Sequence, residues 1–170
     1  FTTPGLAFSK TDGGLTTAGV GAIVRYTLTI TSPLGTIRSL LVGDDLPNGM
    51  SYAGGVAVSG NISPVVAPTL IEQSVVWGFG NVIVTPTNPI TIAFNARIDS
   101  TFGGIVNGAV LTNSAQLQYQ TVTGTLRTLT STDSLALTEP TLIISKAALP
   151  QRNPLGGMDY LTYTVLLTNT

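Results

Sequence analysis

Apolar and polar residues alternate along much of the chain with a period of two, the repeat expected of a strand with one buried face. Tyr26, Leu28 and Ile30 alternate with Thr27, Thr29 and Thr31, and Ile90, Ile92 and Phe94 alternate with Thr91 and Ala93. Turns rich in Gly, Pro, Asn and Asp separate such segments, and no stretch carries helical periodicity. The pattern predicts an all-β chain with strands over 5–11, 22–32, 36–44, 65–77, 89–98, 109–120, 124–137, 140–147 and 160–168. Many short strands with turns between them pack as a β-sandwich. The sole tryptophan, in Val75-Val76-Trp77-Gly78-Phe79, reads as a core aromatic, with ligand stacking as the alternative.

The same pattern occurs twice. Lys10 and Lys146 are the only lysines, and they end near-identical segments, Leu6-Ala-Phe-Ser-Lys10 and Leu142-Ile-Ile-Ser-Lys146. Tyr163-Thr-Val-Leu-Leu-Thr168 then matches Tyr26-Thr-Leu-Thr-Ile-Thr31 at nearly the same distance from its lysine, giving a period of about 136 residues. Residues 1–139 are read as one complete sandwich repeat. Residues 140–170 are read as the first strands of a second repeat, or as a tail that donates strands to a neighbouring subunit. An isolated pair of strands is at best marginally stable in water, so either version requires a covering surface.

Composition narrows the function. Charged residues make up 9% of the chain, against about 25% in an average globular protein, so solubility rests on hydroxyls and amides. Seven basic and eight acidic residues without a basic cluster give no positive stripe for nucleic acid or an anionic membrane. With no cysteine and no histidine, disulfides, thiolate metal sites and the commonest general base are excluded. No cofactor, no metal and no enzymatic turnover are expected. No run of about 18 apolar residues offers a membrane span, and a first residue of Phe1 suggests a processed or excerpted chain. Asp44, Asp45 and Asn48 lack the spacing of a calcium loop and read as a turn. The pairs Gly13-Gly14, Gly54-Gly55 and Gly103-Gly104 read as hairpin or bulge positions, and Asn61-Ile62-Ser63 fits a glycosylation sequon.

Strand parity also places three polar groups on apolar faces. Lys10 is in phase with Leu6 and Phe8, Asp44 with Leu40 and Val42, and Asn113 with Leu111, Ala115, Leu117 and Tyr119. A buried lysine or aspartate is costly unless paired, hydrogen-bonded or neutralised. Burial lowers a lysine pKa and raises an aspartate pKa, so the two can sit together as neutral amine and neutral acid. The amine is then a nucleophile, and the Asn113 carboxamide carbon is its target. Protonated Asp44 would steady the tetrahedral intermediate and pass a proton to departing ammonia. The alternative is an unreacted cluster of Lys10, Asp44 and Asn113 held by hydrogen bonds.

Phe8-Ser-Lys10-Thr11, Tyr26-Thr-Leu-Thr-Ile, Asp44-Asp-Leu-Pro47-Asn-Gly-Met-Ser-Tyr52 and Asn113-Ser-Ala115, in that order, resemble the conserved-repeat domain of bacterial and archaeal surface proteins. That family is similar to the isopeptide-forming shaft domains of fimbrial proteins. The resemblance implies an Ig-like, Greek-key β-sandwich, with Val75-Val-Trp77-Gly as its central strand and Leu142 to Thr170 as the opening of a second repeat. It also implies cross-link partners Lys10 and Asn113, with Asp44 catalysing their joining only and Lys146 as the second-repeat equivalent of Lys10. Asp45 is a second carboxylate beside Asp44, but parity and the Asp-x-Leu-Pro spacing favour Asp44. Ser32-Pro33-Leu34-Gly35 departs from the Asn and Gly that commonly follow the second strand in the family.

The expected protein is a structural, extracellular unit of a cell-surface filament, stalk or sheath, partnered by copies of itself or by adjacent repeats. A carbohydrate- or surface-binding adhesin module, using Thr-rich strand faces or loops on a glycan or surface ligand, is the alternative.

Overall fold

The computed structural model describes residues 5–33, 35–62, 67–99, 107–121, 123–139, 142–152, 155–156 and 158–169. Among the described residues, thirteen strands occur in the order β1 (Ala7–Thr11), β2 (Thr17–Gly19), β3 (Ile23–Thr31), β4 (Gly35–Asp45), β5 (Met50–Tyr52), β6 (Ala57–Ser59), β7 (Thr69–Ile71), β8 (Ser74–Val84), β9 (Ile90–Ile98), β10 (Val110–Gln120), β11 (Leu126–Thr138), β12 (Leu142–Gln151) and β13 (Tyr160–Asn169). The fold is all-β. The chain divides into two compact units, 1–138 and 139–170.

The described residues of the first unit form two sheets. One has the order β1-β3-β9-β5, with β6 also on β9; the other has the order β2-β11-β10-β4-β8-β7. Alternation decides which side of each sheet leaves water. Val24, Tyr26, Leu28 and Ile30 of β3 are buried, and so are Ile90, Ile92, Phe94, Ala96 and Ile98 of β9. These pack with Val42, Trp77, Leu117, Leu135 and Leu137 of the second sheet in one core. Trp77 stands 5.3 Å from Phe94, ring centroid to ring centroid, and Tyr26 stands 5.8 Å from the same ring. The tryptophan joins the sheets by packing.

A bulge makes β4 fit its place. Ile37 and Leu40 are both buried although strict alternation would put them on opposite faces. The register against β8 breaks between them, where Ser39 takes a positive φ of 50° and its N–H reaches Asn81 Oδ1 at 3.1 Å. The extra residue turns Arg38 outward while Leu40, Val42 and Asp44 continue inward.

Several boundaries differ from those expected. The strand read over 65–77 is two strands, β7 and β8, joined by a turn at Glu72 and Gln73, and β8 runs on to Val84. Residues 65 and 66 lie outside the described residues, as do Ser63 of the sequon and the Gly103-Gly104 pair. The three-residue strands β2, β5 and β6 fell in predicted loops, since three residues show no period. Gly60 illustrates a backbone demand: it has φ of 109°, and a Cβ there would lie 2.7 Å from the Pro89 carbonyl oxygen.

The second unit is a two-stranded antiparallel ribbon, β12 paired with β13. Its strand β12 extends through Pro150 to Gln151, beyond the expected end at 147. Leu142, Ile144, Leu161, Tyr163, Val165 and Leu167 are each 55–68% exposed.

Candidate functional site

The polar residues singled out by parity lie in the sandwich interior. Lys10 is the fourth residue of β1, opposite Leu28 of β3, and only 7% of it is exposed. Asp44 lies near the end of β4, flanked by Val75 of β8 and Ala115 of β10. Asn113 precedes Ala115 by two residues on β10 and so shares its face. Asp44 and Asn113 are both 0% exposed. Lys10 reaches across from the first sheet, and its Nζ makes a buried ion pair with Asp44 Oδ2. The ammonium also lies 4.4 Å from the centroid of the Tyr26 ring and 6.0 Å from that of Phe94.

Satisfaction of these groups is incomplete. Asp44 Oδ1 and both polar atoms of the Asn113 side chain are buried without a hydrogen-bond partner. The carboxamide is nevertheless close enough to Asp44 and to the Tyr26 hydroxyl to favour their ionised forms. Orphaned buried carboxamide atoms are uncommon, because each forfeits its hydration without replacement.

Burial dominates the protonation balance. Desolvation lowers the Lys10 pKa to about 8, against the opposing attraction of Asp44. It raises the Asp44 pKa, again against its partner. Both shifts favour the neutral forms, and the pair's net charge is zero whichever partner holds the proton. Moving it from Nζ to Oδ2 gives a neutral amine and a neutral acid without changing that charge, which a low-dielectric core tolerates. Asp45 is differently placed: it faces solvent and accepts the Ser74 hydroxyl.

Sequence reasoning missed a second set of polar groups that holds β1 in place. Asp133 of β11 stands directly opposite Asn113, and Ser131 stands opposite Ala115. Ser131 Oγ accepts the Lys10 N–H at 3.0 Å, and Asp133 Oδ2 accepts the Asp12 N–H. Successive inward-facing hydroxyl and carboxylate groups on β11 thus occupy alternate N–H groups on the edge of β1 away from β3. Asp12 is itself 6% exposed, and its Oδ1 accepts the N–H groups of Gly14 and Leu15, both at 2.9 Å, closing the turn after β1. The parity that singled out Asn113 also applies to Ser131 and Asp133, which are in phase with Leu129, Leu135 and Leu137.

Lys146 occupies the matching place in the ribbon. It stands opposite Val165, and its Nζ lies 4.3 Å from the centroid of the Tyr163 ring. Among the described residues no group of three or more His, Cys, Asp or Glu is arranged to hold a metal. No described helix is long and apolar enough to cross a membrane.

No family model matches the sequence, and no curated protein matches it. Solved structures do share its fold. The major pilin subunit BcpA of Bacillus cereus superposes with a TM-score of 0.59 at 13% identity, covering 96% of this chain and 55% of that one. The pilus backbone RrgB from Streptococcus pneumoniae gives a TM-score of 0.53 at 11% identity, covering 98% and 48%. A non-cellulosomal cohesin from the hyperthermophilic archaeon Archaeoglobus fulgidus gives 0.55 at 10% identity, covering 80% and 93%. The chain spans about half the length of the two pilus proteins. At these identities the likeness is one of fold.

Proposed function

We propose that the chain is a structural unit of an extracellular, cell-surface filament, and that an isopeptide bond between Lys10 and Asn113 fastens its two sheets together. The observation that carries the reading is the buried Lys10–Asp44 pair beside the inward Asn113 carboxamide, which is close enough to favour the ionised form of Asp44. The shared fold of the pilus proteins adds support for a filament role.

The reaction starts from the neutral pair. With the proton on Asp44, the Lys10 Nζ lone pair attacks Asn113 Cγ, and the acid donates a hydrogen bond to the carboxamide oxygen as negative charge develops there. Collapse forms the Nζ–Cγ amide and breaks the Cγ–Nδ2 bond. Asp44 relays a proton from Nζ to the departing nitrogen, which leaves as ammonia. Atoms balance without an oxidant, and Asp44 ends as it began. The event happens once per chain and is not turnover.

Intact mass spectrometry tests it. The purified chain is expected one ammonia lighter than its sequence, and Lys10→Ala restores the full mass. A wild-type chain at full sequence mass refutes the bond. The filament role has its own test: immunogold electron microscopy with antibody to this chain is expected to label filaments on the surface of the producing cell, and surface filaments without label refute it.

A further inference from the structure

The ribbon repeats more of the first unit than its sequence shows. In the first unit Lys10 pairs with Leu28, and its ammonium lies over Tyr26, two residues before Leu28. In the ribbon Lys146 pairs with Val165, and its ammonium lies over Tyr163, two residues before Val165. Register and cation–ring distance therefore agree, at 4.4 Å and 4.3 Å. The face that carries Lys146 corresponds position by position to the core face of β1 and β3. Leu161, Tyr163, Val165 and Leu167 stand for Val24, Tyr26, Leu28 and Ile30, and the Val-to-Leu and Leu-to-Val exchanges offset each other in volume. In the first unit those β3 positions are fully buried; in the ribbon their counterparts are more than half exposed.

What covers such a face is visible in the first unit itself. β9 pairs along β3, β11 supplies hydroxyl and carboxylate acceptors to the edge of β1, and β4 supplies the carboxylate for the lysine. We propose that the ribbon is the first-strand pair of a second sandwich, covered by an incomplete β-sandwich built like residues 35–138 and following in the same polypeptide. That partner lacks its own first pair and presents an inward carboxylate to Lys146. The inference deepens the filament reading by naming what the tail engages, but it does not need the isopeptide bond.

A second copy of this chain does not serve as the cover. Each copy brings one ribbon, one β1–β3 pair and one surface that accepts such a pair, so an exchange between copies leaves one pair bare. Two ribbons laid face to face would bury Lys146 against Lys146, without a carboxylate.

Two extended chains test the proposal. One continues after Thr170 with residues 34–138 of the same sequence; the other continues with residues 5–138, a sandwich already holding its own first pair. Hydrogen exchange is read at the amides of 142–169, with β1 and β3 of the first unit as internal standard. The incomplete extension is expected to slow exchange in the ribbon to within about tenfold of β1 and β3, and the complete extension to leave it fast. In the incomplete extension, replacing the added counterpart of Asp44 with Ala is expected to lose part of that protection. Protection by both extensions, or by neither, overturns the proposal, and so does an added segment that folds while the ribbon stays fast. The mass of the first unit is measured separately, so loss of the Lys10 bond and failure of the ribbon to dock are distinguishable.

Discussion

Replacing both members of the buried pair, Lys10→Met with Asp44→Leu, separates a covalent clamp from an ion pair, because only the clamp predicts a large loss. For an ion pair alone, well-packed apolar replacements of similar volume are neutral or stabilise by about 1–4 kcal/mol, since two desolvated charges disappear together. For a Lys10–Asn113 bond, the same change removes a closure of about 100 residues from the unfolded chain, worth about 4.7 kcal/mol on the chain-entropy relation. Loss of the ammonium over the Tyr26 ring, 4.4 Å away, subtracts about 0.5–2 kcal/mol in the ion-pair case alone, since an amide nitrogen carries no charge. The covalent reading therefore predicts a net loss, with a melting temperature lowered on the order of 10 °C. Guanidinium unfolding of both proteins, with intact mass measured on the same samples, reads the result. The slope of the transition should also steepen in the double variant, because an unlinked chain exposes more surface on unfolding. A double variant at least as stable as the wild type, together with a wild-type chain at full mass, refutes the covalent reading.

Three further outcomes follow. Ser131→Ala with Asp133→Asn is expected to cost about 1–3 kcal/mol and to speed hydrogen exchange selectively at the Lys10 and Asp12 amides; uniform change across the sandwich would show that these groups do not hold β1. In Asn113→Ala the bond cannot form, and Lys10 retains its folded pKa near 8 against 10.5 unfolded. The unfolded chain then binds more protons between those values, so stability rises as pH goes from 8 to 10.5, by on the order of 3 kcal/mol. Asp44, whose folded pKa is raised above 3.8, works the other way at the acid end, stabilising as pH falls toward 3.8. Melts of the variant across the alkaline range should show the rise, and melts of a linked wild type should not. Trp77→Ala removes a fully buried ring at the meeting of the two sheets and is expected to cost about 3–5 kcal/mol by denaturant titration.

How much of this was legible depends on contrast along each strand. Asp44 and Asn113 stood out because their neighbours at two-residue spacing are Leu, Val and Ala while the intervening positions are largely polar or small. Ser131 and Asp133 obey the same parity, but they lie in Leu129-Thr-Ser-Thr-Asp-Ser-Leu135, where hydroxyls occupy both faces and the period is faint. Asp12 stands beside Gly13-Gly14 and reads as part of a turn; its burial comes from β11, which arrives about 120 residues later in sequence. Long-range packing of that kind leaves no local trace. Nor does the bulge at Ser39, whose positive φ is set by pairing with β8 rather than by a glycine.

On the proposed filament reading, the sheet order sets the path that force would take. β1 is an edge strand of its sheet, and β3 is its ladder partner. Tension applied through the N-terminus of the unit meets that strand first. A bond from Lys10 to Asn113 carries the load directly from β1 of one sheet to β10 of the other, leaving the residues between them outside the path. The chain between those positions could extend by roughly 350 Å if unlinked, at about 3.3–3.6 Å per residue. In single-molecule pulling, wild type is therefore expected to lengthen less than Lys10→Ala by about that amount for each unfolded unit. Equal contour lengths for the two would place residues 11–112 within the load path and refute a clamp between the sheets.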